Sequence, residues 1–312
     1  MRVVFMGTPE FAVPALRALA ESDYDVAGVF TQPDRPKGRG NKVSKSPVKT
    51  VAEEYGIPVF QPARIRKDGV GDLKKLDPDL CVTAAFGQIL SREILDIPRM
   101  GNINVHASLL PRHRGSSPVA HAIMDCDRTT GITTMLMDEG IDTGDILMQR
   151  ELEIDAAETC GELTGRLSVL GASLLMETVS KYISGELKPR KQDESVMTYD
   201  SMLTRELSRP DFTLNADRIT GLINGLNPWP CVRINADGTE IRLLRAEAVD
   251  QTDIPGTVIS ADARNGLVIA CGSGAVRILE VQSPGGKPLK AKDWLIGHHL
   301  DAGNIVCEAD RQ

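Results

Sequence analysis

Through the first 189 residues, short apolar runs alternate with stretches of helical spacing. Residues 2–6 form an apolar run, and the turn Gly7-Thr8-Pro9-Glu10 leads into helical spacing from Phe11 to Glu21. Residues 25–31 read as a second strand. Ser46 then suits an N-cap and Pro47 a first helical position for a helix reaching Tyr55. Strand signals follow near 58–60, 79–84 and 101–106, then at 131–137 and 145–154. This alternation predicts right-handed βαβ units and an α/β, mostly parallel sheet. Thr159-Cys160-Gly161-Glu162 fits a capping box. It opens a long helix on which Leu163, Leu167, Leu170, Leu174, Leu175 and Val179 keep helical spacing to Ile183, with Gly185 as its stop.

Periodicity fades after that helix, and residues 190–207 are expected to be a linker between domains at 1–189 and 208–312. In the second domain, short strand signals at 231–235, 240–248, 256–260, 266–271 and 275–282 are separated by turns. Asp237-Gly238 and Asn265-Gly266 are hairpin dipeptides. The pattern predicts a small closed β-barrel.

The length of 312 residues suits two domains, and 41% apolar residues suffice for real cores. The N-terminus lacks the pattern of a signal peptide, and no apolar run approaches the roughly 18 residues of a membrane helix. A cytoplasmic protein is therefore expected; a monomer is expected as well. Six cysteines contain no CxxC pair, so they read as reduced thiols. The net charge of −7 excludes a broad basic face for nucleic acid, so any such contact must be local. One stretch qualifies: residues 34–45 carry Arg35, Lys37, Arg39, Lys42 and Lys45 against Asp34. Its Gly and Pro content reads as a loop able to follow phosphates or as a solvated surface loop. Lys287 and Lys290, near Lys292, lie in a second basic turn.

The chemistry-bearing candidates are few. Among five histidines, His106 ends the strand Gly101-Asn102-Ile103-Asn104-Val105-His106. Ligands bind at the carboxyl ends of strands in open α/β sheets. Asn104, two residues earlier, shares its face. An amide beside an imidazole suits a carbonyl that becomes an oxyanion. The loop Met137-Asp138-Glu139-Gly140-Ile141-Asp142-Thr143-Gly144-Asp145 offers carboxylates that could pair with His106. A structural histidine and an ordinary turn remain open alternatives at these two places. His106, His113 and His121 match no zinc spacing, so no metal is expected. Gly7-Thr8-Pro9-Glu10 is neither a dinucleotide fingerprint nor a phosphate loop.

Two stretches resemble a known family. Asn104-Val105-His106-Ala107-Ser108-Leu109-Leu110-Pro111-Arg112-His113-Arg114-Gly115 is similar to the central motif of the folate-dependent formyltransferases. Gly131-Ile132-Thr133-Thr134 through Asp142-Thr143-Gly144-Asp145 is similar to their second signature. Thr31-Gln32-Pro33-Asp34-Arg35-Pro36 with Gly38-Arg39-Gly40, and Leu226-Asn227-Pro228-Trp229-Pro230, resemble the branch whose acceptor is an initiator methionyl-tRNA. The resemblance implies a Rossmann-like N-terminal domain and an OB-like C-terminal barrel that binds tRNA. It implies Asn104, His106 and Asp142 as the catalytic residues and 10-formyltetrahydrofolate as donor. It places Ser108, Leu109, Leu110 and Pro111 at the folate, with Phe86, Gly87, Ile89 and Leu90 in a loop around the pterin. Arg35, Lys37, Arg39, Lys42, Lys45, Lys287 and Lys290 are the candidate tRNA contacts. Formyltransferases acting on a purine precursor or an amino-sugar nucleotide, a formyl-folate hydrolase and a catalytically silent RNA-binding protein stay as rival readings.

Overall fold

The protein is represented by a computed structural model that describes residues 1–37, 42–236 and 238–308. Its chain folds into two compact units. The first comprises Met1–Gly115, Thr130–Leu152 and Thr164–Tyr199; the second comprises Ser116–Thr129, Glu153–Leu163 and Asp200–Gln312. The units are thus interleaved along the sequence, where periodicity alone suggested a boundary near residue 189.

The first unit is built on a seven-stranded sheet. Its strands are β1 (Arg2–Gly7), β2 (Asp25–Phe30), β3 (Val59–Phe60), β4 (Leu80–Ala84), β5 (Asn102–His106), β6 (Thr129–Leu136) and β7 (Ile146–Glu153). They lie in the order β7-β6-β5-β4-β1-β2-β3. The pairs β1/β2, β1/β4, β2/β3 and β4/β5 are parallel, and β5/β6 is antiparallel. This is the expected mostly parallel, Rossmann-like sheet. Val3, Val4, Phe5 and Met6 are all fully buried, as a central strand covered on both faces requires. The order reverses between β1 and β4, and in open α/β sheets ligands bind at the strands' carboxyl ends beside such a switch point.

The connecting helices include α1 (Val13–Ala20), α2 (Pro47–Glu54), α3 (Val70–Leu76) and α4 (Cys160–Ile183). Ser46 caps α2, its hydroxyl accepting the Lys49 N–H at 3.1 Å. The capping box forms in full: the Thr159 N–H donates to Glu162 at 2.9 Å and the Glu162 N–H to the Thr159 hydroxyl at 3.4 Å. Helices at Val70–Leu76, Arg92–Leu95, Pro118–Met124, Ala216–Gly225 and Ala291–Gly297 have no counterpart in the pattern reading. They span two or three turns at most, too short to carry a clear period and dependent on tertiary packing. The stretch read as a basic loop is paired at its ends, Arg35–Lys37 lying antiparallel to Lys42–Ser44. Among the described residues, no helix is long and apolar enough to cross a membrane.

The second unit holds a curled antiparallel sheet. Its main strands are β8 (Val232–Ala236), β9 (Thr239–Val249), β10 (Val258–Asp262), β11 (Gly266–Ala270) and β12 (Ala275–Gln282), in the order β10-β11-β12-β9-β8. The curl is completed by a late segment. The Val306 N–H donates to the Gly256 carbonyl, and Cys307–Glu308 pairs with β8. Helix α5 (Ala216–Gly225) buries Ile219 and Ile223 against Val232, Ile234, Ile241 and Leu243. Ala120 and Met124 join that core, which is why residues 116–129 belong to this unit. Arg245 on β9 pairs with Glu162 and donates to the Ala157 carbonyl at 3.1 Å, tying residues 153–163 in as well. Arg245, with the Thr159 hydrogen bonds adding to it, pulls the Glu162 carboxyl down to about 2.

The β9 ladder breaks register around Arg245 and Ala246. Buried Asn224 from α5 fills the gap, accepting the Ala246 N–H at 2.9 Å and donating to the Ala246 carbonyl at 3.0 Å. Asn224→Ala would strand both backbone groups away from water. It is expected to cost about 2–4 kcal/mol, the sum of two unsatisfied buried groups, read as a lower urea midpoint at unchanged m.

Candidate functional site

Asn104 and His106 occupy the last positions of β5, two apart and on one face of the sheet. Both are buried, at 8% and 6% exposure, so their polar atoms are shielded from bulk water. In register, Thr83 of β4 and Met135 of β6 flank Asn104, and Thr133 of β6 faces His106. The His106 Nε2 lies 2.9 Å from the His113 carbonyl. A carbonyl can only accept, so Nε2 carries a proton and the other ring nitrogen is left for chemistry. That nitrogen, Nδ1, lies 3.6 Å from Asp142 Oδ1.

Asp142 arrives from the loop between β6 and β7. Its φ of 54° is left-handed, a conformation that costs an L-residue about 1 kcal/mol. Gly144 makes the return possible, because a Cβ there would sit 1.7 Å from the Leu136 carbonyl oxygen. The second carboxylate oxygen, Oδ2, accepts the Gly115 N–H at 2.8 Å. The structure thus brings together all three residues singled out in the sequence.

The segment after β5 is pinned by Thr133. Its fully buried hydroxyl donates to the Ser108 carbonyl at 2.7 Å and accepts the Leu110 N–H at 3.0 Å. Gln149 donates to the same hydroxyl at 3.0 Å and to the Leu110 carbonyl at 2.8 Å. Ser108 is buried and turned back, its hydroxyl donating to the Arg112 carbonyl at 2.7 Å. Leu110 packs on Met135 and Ile146, whereas Leu109 and Pro111 are half-buried.

The segment after β4 sits at the same edge, since β4 and β5 are parallel neighbours. Phe86 and Leu90 turn their side chains into the core, so only their backbone is left for a ligand. Gly87 and Ile89 are exposed, Ile89 to 69%. The Phe86 carbonyl accepts from Thr8 at 3.1 Å and from Gln32 at 3.2 Å, and Gln32 also reaches the Gly87 carbonyl at 3.0 Å.

The basic candidates lie elsewhere. Arg39 falls outside the described residues, as do the side chains of Lys37 and Lys42. Arg35 approaches Gln32 at 3.4 Å, and exposed Lys45 pairs with Glu53 at 2.6 Å. Asp34 is held below the usual carboxylate range by the Lys49 ammonium and the Gln61 amide. Lys287 and Lys290 are exposed residues of the second unit. Among the described residues, no three His, Cys, Asp or Glu side chains are grouped as a metal ion needs.

Pattern reading missed Gln192 and gave Arg114, Gln149 and Thr133 no role. Gln192 stands in a stretch without periodicity, and no local signal marks it. Thr133 is a strand residue whose importance comes from the hydrogen bonds that its hydroxyl makes to the distant segment after β5.

Comparison with known proteins adds to this geometry. Residues 1–179 match the formyl transferase family, and residues 202–299 match the formyl transferase C-terminal domain. The chain is 44% identical over 310 residues to methionyl-tRNA formyltransferase of Clostridium novyi, spanning 98% of this chain and 100% of that protein. It is 45% identical over 315 residues to methionyl-tRNA formyltransferase of Bacillus velezensis, spanning 100% and 99%. Among solved structures, an N-formyltransferase from Helicobacter canadensis, in complex with folinic acid and dTDP-3-aminofucose, superposes with a TM-score of 0.68. It has 16% identity and covers 88% of this chain and 98% of its own, which makes it a likeness of fold.

Thr133→Val keeps the shape but removes the hydroxyl that joins three partners. It is expected to destabilise the protein by about 2–3 kcal/mol, with faster hydrogen exchange at the Leu110 amide. Unchanged protection at Leu110 would show that the hydroxyl does not hold this segment.

Proposed function

The chain belongs to the methionyl-tRNA formyltransferase family, and from that premise we propose that Asn104, His106 and Asp142 carry the formyl transfer. The reaction moves a formyl group from 10-formyltetrahydrofolate to the α-amino group of methionine on initiator tRNA, for translation initiation. The observation that carries the site assignment is the convergence of an amide, an imidazole and a carboxylate at the buried end of β5.

The surroundings fit a folded-in polar ligand. The Thr83 hydroxyl, paired in register with Asn104, is buried with no hydrogen-bond partner among the described residues. Such an orphaned group is what a ligand's polar edge satisfies. Ser108, Leu109, Leu110 and Pro111 on one side, with the backbone of Phe86, Gly87, Ile89 and Leu90 on the other, would hold the folate.

In this reading His106 carries a proton on both ring nitrogens, with Asp142 as its counter-ion, and the Asn104 amide and the His106 Nδ1–H donate to the formyl oxygen as the methionine amine adds to the formyl carbon. Donors already in place in a dry site need no reorganisation when that oxygen becomes negative. Asp142 takes the proton released by the amine, directly or through one water. That proton goes to the folate nitrogen as its bond to the formyl carbon breaks, so charge and atoms balance. The His113 carbonyl keeps the imidazole in plane throughout.

The division of labour belongs to the same proposal. The first unit, which includes residues 190–199 of the stretch read as a linker, does the chemistry, and the second unit, which holds residues 200–312, binds tRNA. Arg35, Lys37, Arg39, Lys42, Lys45, Lys287 and Lys290 meet phosphates locally, consistent with an acidic whole. The enzyme acts as a cytoplasmic monomer. The full-length relatives named for methionyl-tRNA favour this acceptor over a sugar nucleotide.

His106→Ala and Asp142→Asn are each expected to lower kcat about 10²–10³-fold while the protein stays folded at the assay temperature, assayed with charged initiator tRNA and 10-formyltetrahydrofolate. A folded His106→Ala with near wild-type turnover refutes the assignment. Arg39→Ala should raise KM for the tRNA and flatten its salt dependence by about one phosphate contact, while sparing the KM for folate. Equal loss with a small amine acceptor would remove Arg39 from tRNA contact.

A further inference from the structure

We infer that Gln192 is a positioning residue for the reaction, acting by clamping the backbone of Asp142; the inference rests on the catalytic reading of Asp142 above. Gln192 lies in the stretch without periodicity, yet only 9% of it is exposed. Its amide nitrogen donates to the Asp142 carbonyl and to the Gly144 carbonyl, both at 2.8 Å. Its amide oxygen accepts two bonds from Arg114, from Nε at 3.1 Å and from Nη2 at 2.8 Å. Both hydrogens and both lone pairs are therefore used, and the amide has only one workable orientation.

Arg114 is itself 3% exposed and is fixed from its far side by Glu194, at 3.0 and 2.7 Å. The two bonds form a bidentate fork, the geometry in which an arginine is most rigid. Glu194 is held below the usual carboxylate range by that guanidinium. The backbone of the stretch is also anchored, since Arg190 exchanges hydrogen bonds with Ile146 at 2.8 and 2.9 Å.

The clamp closes on one short segment. Gly115 follows Arg114 in the chain and donates its N–H to the Asp142 carboxylate. The Arg114-Gly115 segment thus holds the loop twice, once at the Asp142 side chain and once through Gln192 at the Asp142 backbone. A left-handed aspartate needs such support, because the neighbouring conformations are lower in energy for an L-residue. Releasing the backbone would let the carboxylate rotate away from His106 Nδ1. Folate and tRNA would still bind, because Gln192 touches neither of the two segments assigned to the folate.

The test is a double-mutant cycle on the full-length enzyme, with Gln192→Ala, Asp142→Asn and the pair. Supporting groups one layer behind a reacting residue are worth about 10–100-fold in activity. Gln192→Ala is expected to lower kcat by that factor, with KM for both substrates within about twofold, and to accelerate hydrogen exchange at the Gly115 amide. In the Asp142→Asn background the same change should lower kcat less than twofold further, because the clamp then has nothing to position. Gln192→Glu preserves volume and the Arg114 pairing but faces two carbonyls with oxygen, so it should fail like the alanine when both variants are assayed below their melting temperatures. Wild-type kcat in Gln192→Ala, with Asp142→Asn inactive, overturns this inference alone. So does an equal loss in both backgrounds, or a loss seen only in KM. Full turnover in Asp142→Asn overturns the catalytic reading itself.

Discussion

The site depends on holding a carboxylate against an imidazole in a place where neither residue's own element would put it. Asn104 and His106 come from a strand, and a strand fixes their direction without further help. Asp142 comes from a loop, in a backbone conformation that the residue does not favour. What keeps it there is three hydrogen bonds from two groups. The Gly115 N–H meets the carboxylate, and the Gln192 amide meets the backbone on either side of Thr143. Gly144 lets the loop return beneath Leu136 without a clash.

Everything behind that contact serves to make it rigid. The parallel core strands are buried on both faces, so the carboxyl edge of the sheet cannot shift without disturbing close-packed side chains. Thr133 transmits this rigidity to the segment after β5 by satisfying one donor and one acceptor of its backbone. Gln32 and Thr8 do the same for the carbonyls after β4. Buried polar groups of this kind stabilise little in net terms, but each is expensive to leave unpaired, so together they define a single geometry.

The charge distribution follows a separate logic. With a net charge of −7 the enzyme gains nothing from long-range attraction to a polyanion. Its basic residues are gathered into short segments instead, residues 35–45 in one unit and Lys287 and Lys290 in the other. Several acidic partners, such as Asp34 with Lys49 and Glu53 with Lys45, restrain the lysines nearby. Such pairing limits indiscriminate binding of nucleic acid and suits an enzyme that must select one tRNA.

Much of this was legible in the chain. Apolar periodicity located every strand of the first sheet, the capping box located α4, and hairpin spacing located the antiparallel second unit. The spacing of two between Asn104 and His106, at a strand end, pointed to the carboxyl edge of the sheet, because strand geometry is set locally. The motif stretches pointed to Asp142. Tertiary structure alone decided the rest. Short helices such as Ala216–Gly225 exist because Ile219 and Ile223 find a core, and residues 116–129 and 153–163 join the second unit for the same reason. The segment read as a linker contributes Gln192 and Glu194 to the first unit. Gln192 matters because of two backbone carbonyls about fifty residues away in sequence, and Glu194 because of the guanidinium of Arg114, 80 residues away. Local pattern records a residue's own conformational preference; it carries no record of which distant carbonyl will need its N–H.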